Sequence, residues 1–189
     1  MKLSHLLLAG VLTISLAPAV HAQTVFRPRA PLDSAQSAVR DAVLVLRDYL
    51  QVVHAGGARM HRDFRGASLA ALVSRARSMR DGCAASTRTL PATRAVIASG
   101  PAATDKQRST RERLLAEMDS LSAALAECQK TFGAWVDEED GESVRGYGNR
   151  AAGTVRTAIL GYEDRLQLYL RLIGIRIQPL GAGASVIRS

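Results

Sequence analysis

The sequence predicts an all-α protein, an antiparallel up-down four-helix bundle with a kinked second helix, over residues 33–178. Apolar residues recur in alternating steps of four and three over four separate segments, which is the spacing of one buried helix face. No segment shows the alternation of apolar and polar residues that is typical of a half-buried strand. The connections between the segments are about 5 to 10 residues long, which favours antiparallel neighbours.

The first 22 residues have the pattern of a secretory signal peptide, so residues 1–22 are expected to be removed. A lysine is followed by an apolar run over residues 6–17, and Val20 and Ala22 are the small residues that precede a cleavage site. The run is about 12 residues long, whereas a membrane span needs roughly 20. We expect cleavage after Ala22, or else after Ala19, with no membrane anchor left. The protein would then be exported to a periplasmic or extracellular location.

Residues 23–32 contain two prolines and no period, and predict an extended lead-in to the first helix. Asp33 or Ser34 is placed to cap that helix. We expect the helix to end at Gly56 and Gly57, because glycine adopts the left-handed conformation of a helix terminus at least cost. The predicted buried face comprises Ala35, Val39, Ala42, Leu46, Tyr49 and Val53.

The second helix is predicted to follow a polar, basic linker over residues 58–66. Pro91 lies within its helical pattern and lacks a backbone donor, so we expect a kink or break there. Gly100 and Pro101 then end the helix. The predicted buried face comprises Leu69, Leu72, Ala76, Met79, Cys83, Ser86 and Leu90.

The third helix has the clearest pattern in the chain. Thr104 and Gln107 have the spacing of a capping box, and the apolar period continues to about Val136. The acidic residues 137–142 follow at the helix C-terminus, where negative charge is unfavourable, and therefore predict a turn. The predicted buried face comprises Leu114, Met118, Leu121, Leu125, Cys128, Phe132 and Trp135.

The fourth helix is predicted to begin near Ser143 and to strengthen beyond Gly153. Its buried face comprises Val155, Ile159, Tyr162, Leu166, Tyr169 and Ile173. Additional leucines at 160, 168, 170 and 172 widen the apolar surface, so this helix is expected to be buried on more than one side or to face a partner. Residues 179–189 are predicted to form a flexible C-terminal tail.

The two cysteines, Cys83 and Cys128, fall on the predicted core faces of consecutive helices. In an oxidising compartment this favours a structural disulfide. Free core thiols are the alternative, and a redox-active pair is disfavoured because the C-x-x-C spacing is absent. The register of a simple hairpin brings the two residues within one to two turns of each other, roughly 5 to 10 Å.

His54 and His61 are the two histidines of the predicted mature chain, and with Met60 they are the candidate metal ligands, with Asp63 nearby. The two histidines flank a glycine pair on a predicted linker, rather than sharing one helix face, so a solvated loop is favoured over a metal site. Neither a haem attachment motif nor any other cofactor motif is present, and we expect no cofactor. The acidic run lacks the spacing of a calcium loop.

The chain is basic, with a formal net charge of +8. Arginines dominate the second and fourth helices, and their candidate anion-binding residues are Arg75, Arg77, Arg80, Arg88 and Arg156. If these residues formed one patch, an anionic envelope component or an acidic protein would be the expected partner. A solubilising surface is the simpler account. Nucleic acid is disfavoured in an exported chain with few aromatic residues.

No catalytic motif is readable, so the sequence predicts that the protein is not an enzyme. The leading hypothesis is an exported non-catalytic bundle that binds a protein partner or an anionic envelope component. The alternative is a carrier of a small ligand or metal in the bundle interior. It is suggested by Tyr49, Tyr162 and Tyr169, which occupy predicted core positions and could line a polar cavity or reach the rim.

Overall fold

The computed structural model describes residues 31–63, 66–138 and 141–181. The chain divides into two units, Met1–Pro31 and Leu32–Ser189, and all four helices belong to the second. The helices are α1 (Ser34–Asp63), α2 (Leu69–Ala98), α3 (Asp105–Glu138) and α4 (Gly141–Leu172). The predicted signal peptide lies outside the described residues. None of the helices in the described ranges is long and apolar enough to span a membrane.

The four helices form the predicted bundle. Each helix packs against the next one in the chain, and α4 closes the ring by packing against α1. The neighbours are antiparallel: Met79 of α2 approaches Gly56 of α1, and Thr93, further along α2, donates to the carbonyl of Ala42, earlier in α1, over 3.2 Å. The predicted up-down topology is therefore confirmed.

The buried faces of α3 and α4 are the ones that the apolar period predicts. Every residue of the predicted α3 face is at most 5 % exposed, and Trp135 is the most exposed of them. The predicted α4 face from Val155 to Ile173 is likewise buried. The capping box is also present, since Thr104 Oγ1 accepts from the Gln107 amide over 3.2 Å and Gln107 Oε1 accepts from the Thr104 amide over 3.0 Å.

The predicted end of the first helix is wrong, because α1 continues through the glycine pair and the predicted linker to Asp63. The glycines serve close packing. A Cβ atom at Gly56 would lie 2.6 Å from Met79 Sδ, and one at Gly57 would lie 3.4 Å from the Ala152 carbonyl oxygen of α4. Neither glycine has a positive φ. The absent side chains therefore let α1 approach α2 and α4 closely.

The predicted buried face of α1 is only partly correct. Val39, Leu46 and Val53 are buried as expected, but Ala35 and Tyr49 are exposed. Val43, Leu50 and Met60 are the other large apolar side chains of α1 in the core. The helix carries two apolar faces, and the one centred on Leu46 and Leu50 packs in the core.

Of the two alternatives predicted at Pro91, a kink or a break, the break is wrong, because α2 continues through this residue without interruption. Threonines line this part of the helix: Thr87 donates to the carbonyl of Cys83 over 2.9 Å and Thr89 to that of Ala85 over 3.0 Å. At the helix start, Leu69 is 46 % exposed and is not part of the core, contrary to the predicted face.

Cys83 and Cys128 form the predicted disulfide, with their Cα atoms 6.2 Å apart. The same antiparallel register pairs Arg94 with Asp119, at 2.8 Å, and Arg111 with the Gly100 carbonyl, also at 2.8 Å. The connection between α2 and α3 accounts for the register difference of the simple hairpin. It runs alongside the first turns of α3, where Arg108 and Arg111 donate to its carbonyls.

The capping glutamines also join three helix ends at one pole of the bundle. Asp33 caps α1 in a reciprocal box with Gln36, whose side-chain amide donates to the Ile173 carbonyl over 2.7 Å. Gln107, in the α3 box, donates to the Leu172 carbonyl over 2.8 Å. The N-termini of α1 and α3 are therefore hydrogen-bonded to the C-terminus of α4.

Helix α4 ends in a Schellman motif, after which the chain returns along the bundle. Gly174 has φ +81°, its amide donates to the Arg171 carbonyl, and the Ile175 amide donates to the Leu170 carbonyl over 2.8 Å. Residues 174–181, which we call the C-terminal strap, then pack on the bundle through Ile175, Ile177 and Leu180. The predicted flexible tail thus includes strap residues with defined contacts, whereas 182–189 lie outside the described residues.

Candidate functional site

The exposed face of α1 carries several large apolar side chains. Among the described large apolar side chains that stay exposed, four lie within nine residues of this helix. Because steps of four and three residues return to the same side of a helix, three of them share one face and the fourth lies at its edge. We call this set the α1 stripe; it comprises Val45 (52 % exposed), Tyr49 (40 %) and Val52 (47 %), with Leu44 (40 %) at the edge.

The α1 stripe borders the junction of α1 with α2. Val52 lies close to α2, since a Cβ atom placed on Gly82 would be 3.4 Å from its Cγ1. A groove of about 270 Å³ continues from Val52 along this junction; its other lining residues are Gly56, Arg59, Ser74, Arg75 and Ser78. This volume is at or below the lower limit for small-molecule sites. The groove suits individual side chains of a partner better than an enclosed ligand.

A buried polar cluster lies on the opposite flank of α1, where α4 and the C-terminal strap meet it. Glu163 of α4 is 4 % exposed, and its Oε1 lies 3.5 Å from Arg47 Nη2. The same oxygen accepts from Gln167 Nε2 over 2.9 Å and from the Leu180 amide over 3.1 Å. Arg47 also donates to the Gln178 carbonyl. The buried ion pair therefore fastens the strap to the bundle.

Several buried polar atoms of this flank have no hydrogen-bond partner within the described part of the chain. They are Arg47 Nε, His54 Nδ1, Tyr162 Oη and Glu163 Oε2. Burial, with the neighbouring charge of Glu163, raises the pKa of Tyr162, so its phenol stays neutral at all ordinary pH values. Buried polar groups without protein partners commonly hold ordered water, and these four atoms provide both donors and acceptors for it.

The two candidate metal ligands with described side chains, His54 and Met60, lie at different helix junctions. His54 lies half-buried on α1 next to the strap, with Nε2 3.6 Å from a Cβ atom placed on Gly181. Met60 is fully buried and faces Gly148 of α4. The His61 backbone lies in α1, and its side chain is outside the described residues. Both histidines are therefore on a helix and not on the predicted loop. Within the described chain no three His, Cys, Asp or Glu side chains group as a metal site.

The environment of His54 lowers the pKa of its imidazole. Burial is the main cause that lowers its pKa, and the positive charge of Arg156 lowers it further, while Glu163 opposes both. His54 is therefore held in its neutral form more strongly than a solvated histidine.

The candidate anion-binding arginines are dispersed over the bundle. Arg75 lines the groove between α1 and α2. Arg80 lies near Gly133 of α3 and pairs with Asp81. Arg156 of α4 is close enough to His54 for its positive charge to lower the pKa of that histidine. Arg77 and Arg88 are exposed on α2.

The wide apolar surface of α4 is mostly buried. Leu170 is fully buried, Leu168 and Leu172 are half-buried, and Leu160 is 43 % exposed. Two of the three candidate cavity tyrosines, Tyr162 and Tyr169, are also buried, whereas Tyr49 belongs to the exposed stripe. Tyr169 donates to the Pro101 carbonyl over 3.1 Å. The exposed apolar residues therefore concentrate on α1, where the sequence prediction placed Tyr49 in the core.

Sequence reasoning missed both the α1 stripe and the buried polar cluster. The stripe has a readable signal, because α1 contains a second apolar set in steps of four and three beside its core set. The polar cluster has a fainter one: Arg47, Gln51 and His54 repeat the same steps on one flank. Glu163, the partner of Arg47, is 116 residues away from it in the chain, so no local pattern connects the two.

Comparisons of the chain with protein-family models, with curated proteins and with solved structures found no match.

Proposed function

We propose that this chain is an exported, non-catalytic helical-bundle protein that binds a protein partner through the α1 stripe. The observation that carries the proposal is the concentration of exposed Val45, Tyr49 and Val52 on one helix face. A contiguous exposed apolar surface with a polar surround is typical of protein-binding sites, in which aromatic and aliphatic anchors supply most of the affinity. Arg59 and Arg75 at the end of the groove would add pairing with carboxylates.

A protein partner is favoured over an anionic envelope component. The arginines are dispersed over several helix junctions, while the apolar residues are contiguous. Export is supported by the signal-peptide pattern of residues 1–22, and the Cys83–Cys128 disulfide is compatible with an oxidising compartment.

Site-specific photo-cross-linking in the producing cells tests this function. A photoreactive phenylalanine analogue at Tyr49 is expected to give a protein adduct in the exported fraction. The matched control position is Ala123, which is exposed on α3, diagonal to α1, and should give none. Retention of the protein in the cytoplasm, or equal labelling from both positions, would contradict the proposal.

A further inference from the structure

We infer that the partner of the α1 stripe is a second copy of this chain, with the two α1 helices antiparallel about a two-fold axis near Tyr49. Self-association of this kind rests on the proposed protein-binding function and specifies its partner. The exposed face of α1 extends beyond the stripe in the same helical steps. In order along the helix its residues are Asp41, Val45, Tyr49, Val52, Gly56 and Arg59.

Residues of opposite charge lie on either side of the stripe along this face. Asp41 precedes it, with a side chain that is 63 % exposed and that contacts Arg40, and the exposed residue Arg59 follows it. Asp41 precedes Tyr49 by about 12 Å along the helix axis and Arg59 follows it by about 15 Å, at 1.5 Å per residue. A two-fold axis near Tyr49 therefore places Asp41 of each copy beside Arg59 of the other.

The apolar residues have the same symmetry. Val45 and Val52 lie on either side of Tyr49, so the axis that pairs Asp41 with Arg59 also brings Val45 of one copy against Val52 of the other. A two-fold interface requires such a self-complementary surface, in which each residue pair occurs twice. An unrelated partner would not require the charged and apolar pairs to share one centre.

The neighbouring groove gives the second helix room to approach. Gly56, Ser74 and Ser78 line it with small side chains, and Arg59 and Arg75 are at its end. The contact involves mainly one helix per copy, which places it at the small end of specific interfaces. We therefore expect a dimer whose population depends on protein concentration.

A charge exchange tests the pairing directly. Sedimentation equilibrium of the mature, disulfide-bonded chain is expected to show a monomer–dimer equilibrium. Asp41→Arg and Arg59→Asp should each weaken dimerisation by at least about fivefold, because each places like charges together twice. The double variant D41R/R59D should dimerise as the wild type does. An equimolar mixture of the two single variants should form dimers that neither forms alone, since both cross-pairs are then attractive.

Matched controls come from α3, which lies diagonal to α1. Glu112→Arg and Arg113→Asp make the same charge changes at exposed positions and should leave the dimerisation constant unchanged. A wild-type chain that stays monomeric at all concentrations would overturn the inference. So would single variants that dimerise normally, or a mixture without recovery.

Cysteine cross-linking locates the axis independently. Tyr49→Cys should form an intermolecular disulfide under mild oxidation, whereas Ala123→Cys should not, because only position 49 lies next to its own symmetry mate. If the chain is monomeric but the photoreactive group at position 49 captures a different exported protein, self-association is wrong and the proposed function stands. If that group instead labels the chain's own residues 1–32, both are wrong.

Discussion

Gly148 of α4 lies against the indole ring of Trp135: a Cβ atom added at Gly148 would be only 2.5 Å from two carbons of the six-membered ring. Trp135 is the last residue of the α3 core face, and Phe132 packs edge-on against it with ring centroids 4.9 Å apart. The ring is therefore held in place and cannot move away at little cost. The glycine is the part of α4 that allows α3 and α4 to approach each other here.

Gly148→Ala is accordingly expected to destabilise the fold. Overpacking of a core costs about 1–3 kcal/mol, and a 2.5 Å approach to a fixed ring belongs at the upper end of that range. This cost exceeds the roughly 1 kcal/mol that alanine gains over glycine in a helix. The control is Gly153→Ala on the same helix, where an added Cβ meets no atom within 4 Å and only the helix-propensity gain applies. Denaturant unfolding should show the two variants shifted in opposite directions. A stabilised Gly148→Ala variant would contradict the packing described here.

Removal of the Cys83–Cys128 disulfide is expected to lower the free energy of unfolding by about 4 kcal/mol, since the bond closes a loop of 45 residues in the unfolded chain. The variant C83A/C128A removes it without leaving a free thiol. Thermal unfolding should show a lower midpoint for this variant and no further change on adding a reductant. The wild type should approach the variant when reduced, and a reductant-insensitive wild type would argue against the bond.

Glu163→Gln tests the fastening of the C-terminal strap. The change keeps the size of the side chain but leaves the Arg47 guanidinium, whose side chain is 11 % exposed, without its opposite charge. We expect a loss of about 1–3 kcal/mol in unfolding free energy, and faster hydrogen exchange at the Leu180 amide, which donates to Glu163. Asp119→Asn breaks the exposed pair with Arg94 and should cost less than about 1 kcal/mol. Equal losses in both variants would show that burial of the first pair has no special effect.

His54 is expected to make stability depend on pH in the weakly acidic range. Its folded-state pKa is below the ordinary value of 6.5, mainly because of burial. The unfolded chain therefore binds the proton more readily, so the stabilising contribution is complete above pH 6.5 and is lost as the pH falls towards the folded pKa. His54→Gln should reduce the difference in unfolding free energy between pH 7.5 and pH 5.5. An unchanged pH profile in this variant would assign the effect to other groups.

The sequence predicts the fold well where one apolar period dominates a segment. The core faces of α3 and α4 have a single set of large residues in steps of four and three, so the period identifies the buried side without ambiguity. The Thr104–Gln107 capping box is equally local, because both partners lie within one turn. These features depend only on neighbours along the chain.

The sequence predicts α1 less well because tertiary contacts decide between local alternatives. Its two apolar sets have the same period, and only the position of α2 and α4 decides that Leu50 is buried and Tyr49 is exposed. From the sequence, Gly56 and Gly57 fit a helix end as well as a helix interior. Only the tertiary structure shows that Met79 and Ala152 pack against them and leave no room for a side chain. The α1 stripe is hard to predict for the same reason, since the period of α1 also fits a core position for Tyr49.

The hydrogen bonds of Gln36 and Gln107 to the last carbonyls of α4 have a consequence for how the bundle opens. Each glutamine caps its own helix through one side-chain atom and α4 through another, so fraying of the last turn of α4 also removes support from the first turns of α1 and α3. The three helix ends should therefore open as one cooperative unit, with a common opening free energy for their terminal amides. At this pole the stability of each helix end against local opening therefore depends on the other two ends.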